Sequence, residues 1–235
     1  MLWVDMGKSR VNEGDWFEGD WFEKKKSFIE SEDIKPGSFR PLEEGLDSME
    51  LELLRTRKTT EEFYADSEPS FSDTLTKVYE FYQKEFGTPG RVYYPGCDMD
   101  STPIRAFPNS DVTLLDINEH AIKALQRNGI EAIHGDAKLY RPDNLHDLLI
   151  LLNPGIKSRD ATPTLKVGGY VIANDWHGNT TELLTIPEEF NFIGILNENE
   201  DKQLRLLSDE VSREILEKAG PNCFQNYYAF FEKKG

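Results

Sequence analysis

From Phe71 the apolar positions take a helical period: Phe71, Leu75, Val78, Tyr79, Tyr82 and Phe86 would share one face. Gly87 and Pro89 stop that run. Apolar stretches then alternate with helical or loop segments. "RVYYP", "DVTLLDI", "IEAIHGDA", "HDLLILLNPG" and "GGYVIAND" read as successive strands. "HDLLILLNPG" is almost continuously apolar, as a strand buried on both faces should be. Between the first two strands, "STPIRAF" reads as a short helix, with Ser101 or Thr102 as its cap and Pro103 in its first turn. "NEHAIKALQRNG" reads as a longer helix, capped by Asn118 and stopped by Gly129. In the tail, "FNFIGIL" and "FQNYYAFFEKK" are strand-like and flank a helical "SDEVSREILEKAG". The alternation predicts an α/β fold: a mostly parallel sheet of about seven strands, an antiparallel final strand, and helices on both faces.

The pattern before Phe71 is different. Residues 1–70 are acidic, poor in β-branched apolar residues, and read as a helical or irregular extension preceding a domain at 71–235. They hold a tandem pentapeptide, "GDWFEGDWFE". Its Trp16, Phe17, Trp21 and Phe22 suit either an arm packed on the domain or a lid over a pocket. "EEGLDSMELELLRTRKTTEEFY" reads as one helix with Leu46, Met49, Leu53 and Leu54 on a side.

Charge narrows the function. The net charge of −16 repels phosphate backbones, so nucleic acid and anionic membrane are not expected partners; the Lys24–Lys26 run reads as a solvated face. Cys97 and Cys223 match no zinc spacing and form no disulfide framework, which predicts reduced thiols and a cytoplasmic location. The amino-terminal stretch has no signal-peptide core, and no apolar run reaches bilayer length.

In doubly wound sheets, ligands bind at the carboxyl ends of the strands, where strand order reverses. The residues placed there are Gly96 to Asp100, Asp116, Gly135 to Ala137, Asn153 to Gly155, and Asn174 to His177. Asp116 lies about twenty residues beyond Gly96, the distance at which a strand-end acid accepts ribose hydroxyls; it also suits a cap for the next helix. Asp136 could accept an adenine amino group or simply make a turn. Asp98 and Asp100 bear on ligand charge. A dinucleotide brings its pyrophosphate to the first loop, where it needs backbone N–H groups and glycine. One like-charge contact at about 4 Å costs about 4 kcal/mol at an effective dielectric of about 20. A phosphate-free adenosine ligand with a cationic centre suits the loop better. S-adenosylmethionine is such a ligand, and the helix start at Thr102–Pro103 could receive its carboxylate.

With these residues the chain resembles the class I S-adenosylmethionine-dependent methyltransferases, with a Rossmann-like fold, over residues 71–235. "VYYPGCDMD" is similar to the family's first loop at Gly96 and Cys97. Asp116 in "LLDIN" and Asp136 in "HGDA" match its second- and third-strand acids, and "LKVGGYVIAND" its turn into strand five. The resemblance implies S-adenosylmethionine as cofactor, held by Tyr94, Gly96, Asp98, Asp100, Asp116 and Asp136. The departures are that Tyr94 or Pro95 stands where the family has an acid, and that Asp98 and Asp100 replace the second and third glycines. In that case Asp98 or Asp100 takes the ligand's ammonium. Candidate catalytic residues are Asn153, which could orient an amino nucleophile or belong to an ordinary Asn-Pro-Gly turn, and His177, a general base or a loop histidine. Methyl transfer rests mainly on in-line positioning, so it needs no strong base. No metal is expected. The function implied is methyl transfer to a small molecule or a protein. The alternatives are a non-catalytic binding or scaffolding module of the same fold and an NAD-dependent oxidoreductase.

Overall fold

The structure, a computed structural model, describes residues 59–152, 154–198, 204–212 and 227–235. The GDWFE repeat, the Lys24–Lys26 run, Asn153, Cys223 and most of the tail helix lie outside these residues.

The described chain begins with a helix start that the sequence pattern had run together. α1 (Thr60–Ala65) opens on Thr59, whose backbone is extended, so a single helix through "TTEEFY" is not what forms. Thr59 and Glu62 make a reciprocal capping box: the Glu62 N–H donates to Thr59 Oγ1 at 3.2 Å, and the Thr59 N–H donates to Glu62 Oε2 at 2.8 Å. α2 (Asp73–Phe86) is capped by Ser72, whose Oγ accepts from the Leu75 N–H at 3.2 Å. Phe71 therefore precedes the helix rather than joining its apolar face; it is 48% exposed, with the Arg105 guanidinium 5.7 Å above its ring.

The remaining elements alternate as expected. They are β1 (Arg91–Pro95), α3 (Thr102–Ala106), β2 (Asp111–Asp116), α4 (Glu119–Arg127), β3 (Ile133–His134), β4 (His146–Leu151), α5 (Ser158–Ala161), β5 (Leu165–Ala173), α6 (Asn179–Leu184), β6 (Phe190–Glu198), β7 (Leu204–Leu206) and β8 (Tyr228–Lys233). The eight strands form one sheet in the order β3-β2-β1-β4-β5-β8-β6-β7. β1 to β5 pair in parallel; β8 lies antiparallel between β5 and β6, and the short β7 adds an eighth strand as a hairpin on β6. β3 is reduced to two residues, Ile133 and His134, because the chain meets β2 only at Leu115 and Asp116.

Alternation along the strands feeds two layers. On one face Tyr93, Leu149, Val171, Phe231 and Phe192 join a core with Ala161 of α5 and Leu183 of α6. On the other, Tyr82 and Phe86 of α2 meet Tyr170 at ring-centroid distances of 5.8 and 4.8 Å, and Phe86 stacks on Phe230 at 5.8 Å. Helices thus cover both faces. This burial places β1 and β4 at the centre and brings their carboxyl ends together.

Candidate functional site

Strand order reverses between β1 and β4, so their following loops face one crevice. Gly96 turns the chain out of β1 with a φ of 66°. A Cβ on Gly96 would lie 2.4 Å from the Pro154 carbonyl oxygen and 2.5 Å from its Cα. Glycine is required twice over there, by the left-handed backbone and by the close approach of the β4 loop. The Gly96 N–H donates to the Leu115 carbonyl at 2.7 Å, tying the loop to β2.

Asp116, at the end of β2, is buried, and both of its oxygens accept backbone N–H groups. Oδ2 takes Asp98 N–H and Oδ1 takes Asn118 N–H, each at 2.7 Å. Burial raises its pKa, and these backbone bonds oppose the rise. Asp116 thus joins the β1 loop to the start of α4. Cap duty falls to Asn118, whose Oδ1 accepts from His120 N–H at 3.1 Å and Ala121 N–H at 3.4 Å.

Asp98 holds a φ of 46°, a left-handed backbone at the place where the resemblance has its second glycine. Aspartate tolerates this region better than most residues. Its side chain is exposed at the loop surface, and Oδ1 accepts the Tyr64 hydroxyl at 2.5 Å. Asp100 is committed differently. Oδ1 accepts the Thr102 N–H at 2.9 Å and the Thr102 hydroxyl, while Oδ2 accepts the Tyr94 hydroxyl at 3.2 Å. Burial raises the Asp100 pKa against the pull of those bonds. The N–H expected to meet a ligand carboxylate is therefore already bonded to Asp100, which caps α3. Ser101 makes no cap bond; its hydroxyl donates to the Ser70 carbonyl at 3.1 Å. Tyr94, in the position of the missing acid, is buried and reaches Asp100 through its hydroxyl. Beneath it the Tyr79 hydroxyl is buried with no hydrogen-bond partner among the described residues; burial and then the Asp100 charge raise its pKa.

Asp136 follows β3, where Oδ1 accepts the Lys138 N–H at 2.9 Å within its own turn. Beside these acids Ile117 and Leu139 stand 69% and 77% exposed, an apolar border to the rim. After β5, Asp175 is buried and accepts from the Thr181 N–H at 2.8 Å and hydroxyl at 2.7 Å. The next two residues, Trp176 and His177, are exposed. Partial desolvation lowers the His177 pKa, which keeps the imidazole in its basic form at neutral pH. Burial raises the Cys97 thiol well above its ordinary value, so it is no nucleophile. A cavity of about 450 Å³ lies elsewhere, along Asp111–Leu114 and Gly129–Ile133, at the amino-terminal half of β2.

Tyr94, Gly96, Asp98, Asp100 and Asp116 are thus brought together by one loop and its strand neighbours. Asp136 and His177 lie at the ends of β3 and β5. Tyr64 and Ser70 were not anticipated. The Thr59–Glu62 box does announce the helix that carries Tyr64, but no local pattern announces the partner of its hydroxyl. Among the described residues, no three His, Cys, Asp or Glu side chains gather to hold a metal, and no helix is long and apolar enough to cross a membrane.

No protein-family model matches the chain, and no curated protein sequence matches it. Solved structures do. The N-methyltransferase NodS from Bradyrhizobium japonicum WM9, in complex with S-adenosyl-L-homocysteine, aligns with a TM-score of 0.50 at 15% identity, covering 80% of this chain and 100% of its own. The plantazolicin methyltransferase BpumL, in complex with a triazolic desmethylPZN analogue and the same product, gives 0.47 at 15% identity over 80% and 92% of the two chains. A SAM-dependent methyltransferase from Archaeoglobus fulgidus gives 0.45 at 18% identity over 80% and 100%. At such identities the likeness to NodS speaks for architecture alone: the chain has the class I S-adenosylmethionine-dependent methyltransferase fold.

Proposed function

We propose that the chain is an S-adenosylmethionine-dependent methyltransferase acting on a small molecule or a protein side chain. One observation carries the reading: at the crevice of this fold, the loop after β1 is bonded to the buried Asp116 carboxylate at 2.7 Å. The donor set fits the cofactor. Asp116 and Asp98 offer carboxylates to hydroxyl and ammonium donors, and the exposed Ile117 offers an apolar surface to a purine. When bound, adenosylmethionine supplies an activated methyl group on its sulfonium.

The chain's own residues have the following roles. Asp116 accepts ribose hydroxyls on lone pairs left by its two N–H bonds, since a carboxylate offers about four acceptor sites. Asp136 accepts the adenine amino group. Gly96 lets backbone approach the ligand, Asp98 faces the ammonium, and Tyr94 with Asp100 shapes the floor beneath it. His177, basic and exposed beyond β5, takes the proton of a nucleophile, and Asn153 orients it. Residues 1–70 form an extension to the domain at 71–235, and the protein works in the cytoplasm.

Titration calorimetry with S-adenosylhomocysteine tests the reading, followed by a turnover screen with adenosylmethionine. Absence of binding would sink it. A second reading, a non-catalytic module of the same fold, is favoured by the partners that Asp98 and Asp100 already have in Tyr64, Thr102 and Tyr94. Binding without turnover across the screen would select it.

A further inference from the structure

The segment Thr59–Ser72 lies as a strap on the loop after β1. At its far end, the Ser70 N–H donates to the Met99 carbonyl at 2.8 Å and the Ser101 N–H returns a bond to the Ser70 carbonyl at 3.0 Å. The Ser72 N–H donates to Thr102 Oγ1 at 2.9 Å. At its near end, Arg127 of α4 donates through Nη2 to the carbonyls of Tyr64 at 2.6 Å and Ala65 at 3.0 Å. The strap is thus joined to the loop at its far end, through Ser70 and Ser72, and to the Arg127 side chain of α4 at its near end. At the near end the buried Tyr64 also crosses from strap to ligand loop: its hydroxyl reaches Asp98 Oδ1 at 2.5 Å.

We infer that Tyr64 is a positioning residue of the ligand site: it acts through Asp98 to select an adenosine ligand whose arm bears an ammonium rather than a phosphate. The inference rests on the adenosylmethionine reading and adds to it a residue outside the β1 loop.

Asp98 links the strap to the ligand loop. Its left-handed backbone, φ 46°, aims its N–H at Asp116 and its side chain toward the strap. Left alone, an exposed aspartate samples several rotamers, and its charge is smeared over the loop surface. A phenol donor at 2.5 Å fixes one rotamer. The carboxylate then stands on the loop as a fixed negative charge, which attracts an ammonium and repels a phosphate. Removing the Tyr64 hydroxyl leaves the Arg127 and Ser70 tethers intact, since on the strap these use backbone carbonyls and the Ser70 N–H.

The test is calorimetry on the full chain with three ligands that share an adenosine: S-adenosylhomocysteine, 5′-methylthioadenosine, which lacks the amino-acid arm, and ADP. Tyr64→Phe should weaken S-adenosylhomocysteine about tenfold, the scale of one hydrogen bond to a charged group, and leave methylthioadenosine unchanged. Asp98→Gly, which restores the residue best suited to positive φ, should weaken S-adenosylhomocysteine at least as much and admit ADP. The double variant should match Asp98→Gly alone, because the tyrosine acts through the aspartate. Equal losses for S-adenosylhomocysteine and methylthioadenosine would reduce Tyr64 to a structural residue and overturn the inference, as would a Tyr64→Phe variant that binds like wild type. If wild type binds neither adenosine ligand, the adenosylmethionine reading itself fails, and the inference falls with it.

Discussion

Three carboxylates within the same few ångströms of loop and strand end have three environments. Asp98 is exposed and bonded to a phenol, Asp116 is buried and bonded to two backbone N–H groups, and Asp100 is half-buried and bonded to Thr102 at the start of α3. The raised pKa of Asp100 carries a sign for stability. A carboxyl whose folded pKa exceeds its unfolded one is best tolerated below the unfolded value, and its cost grows as pH rises through the folded value. Asp100→Asn keeps an acceptor for Thr102 and removes the charge. It should therefore raise the melting temperature at pH 7, and the gain should vanish near pH 3, below the ordinary aspartate range of about 3.9. Melting curves at the two pH values check this. Gly96→Ala is the converse case. The added Cβ meets Pro154 backbone at 2.4 Å and the φ of 66° is strained for alanine. A loss of about 2–4 kcal/mol is expected from urea unfolding, because neither backbone segment can move aside cheaply.

At the scale of elements, the α4 start shows how the site is built on a cap. Asn118 serves the helix with its side chain and Asp116 with its backbone N–H, which donates at 2.7 Å. Asn118→Ala should therefore cost about 1 kcal/mol of stability in urea unfolding and spare ligand affinity, since the backbone bond to Asp116 survives. A fall in affinity larger than the fall in stability would show the two to be coupled. Much at this scale was legible in the chain. The presence of the α2 helix and its stop at Gly87, the cap at Asn118 and the parallel strands follow from period and punctuation. Phe71 was misplaced because a single apolar residue fits a helical period as well as it fits a loop; the Ser72 cap, one position later, decides it. The strand "IEAIHGDA" shrank to two residues because β propensity marks a segment that can pair, whereas the path of the chain beside β2 sets how much of it does. The short α5 and α6 carry too few residues for a period to register.

At the scale of the whole molecule, the charge of −16 gives the chain a net negative field. Adenosylmethionine carries one more positive charge than its demethylated product. The field should thus favour the cofactor over the product, and salt should erase the difference. Raising ionic strength from about 0.01 M to about 1 M shortens the screening length from about 30 Å to about 3 Å. The ratio of product Kd to cofactor Kd should fall across that range, measured by calorimetry at each salt concentration. A constant ratio would locate discrimination in the site's own contacts rather than in the overall charge.

The chain's local pattern determined the parallel strands and the longer helices, and that acids stand at the end of β2 and in the loops after β1 and β3. Those features depend on residues within a turn or two of each other, so periodicity and capping chemistry suffice to read them. Tertiary structure decided what each acid touches. Tyr64 reaches Asp98 across 34 residues of sequence, and Gly96 meets Pro154 because β4 lies beside β1. Likewise the insertion of β8 between β5 and β6 pairs segments far apart in the chain. Such pairings are selected by the burial of whole sheet faces and by the order in which strands assemble. A local run of apolar and polar residues carries no record of that order.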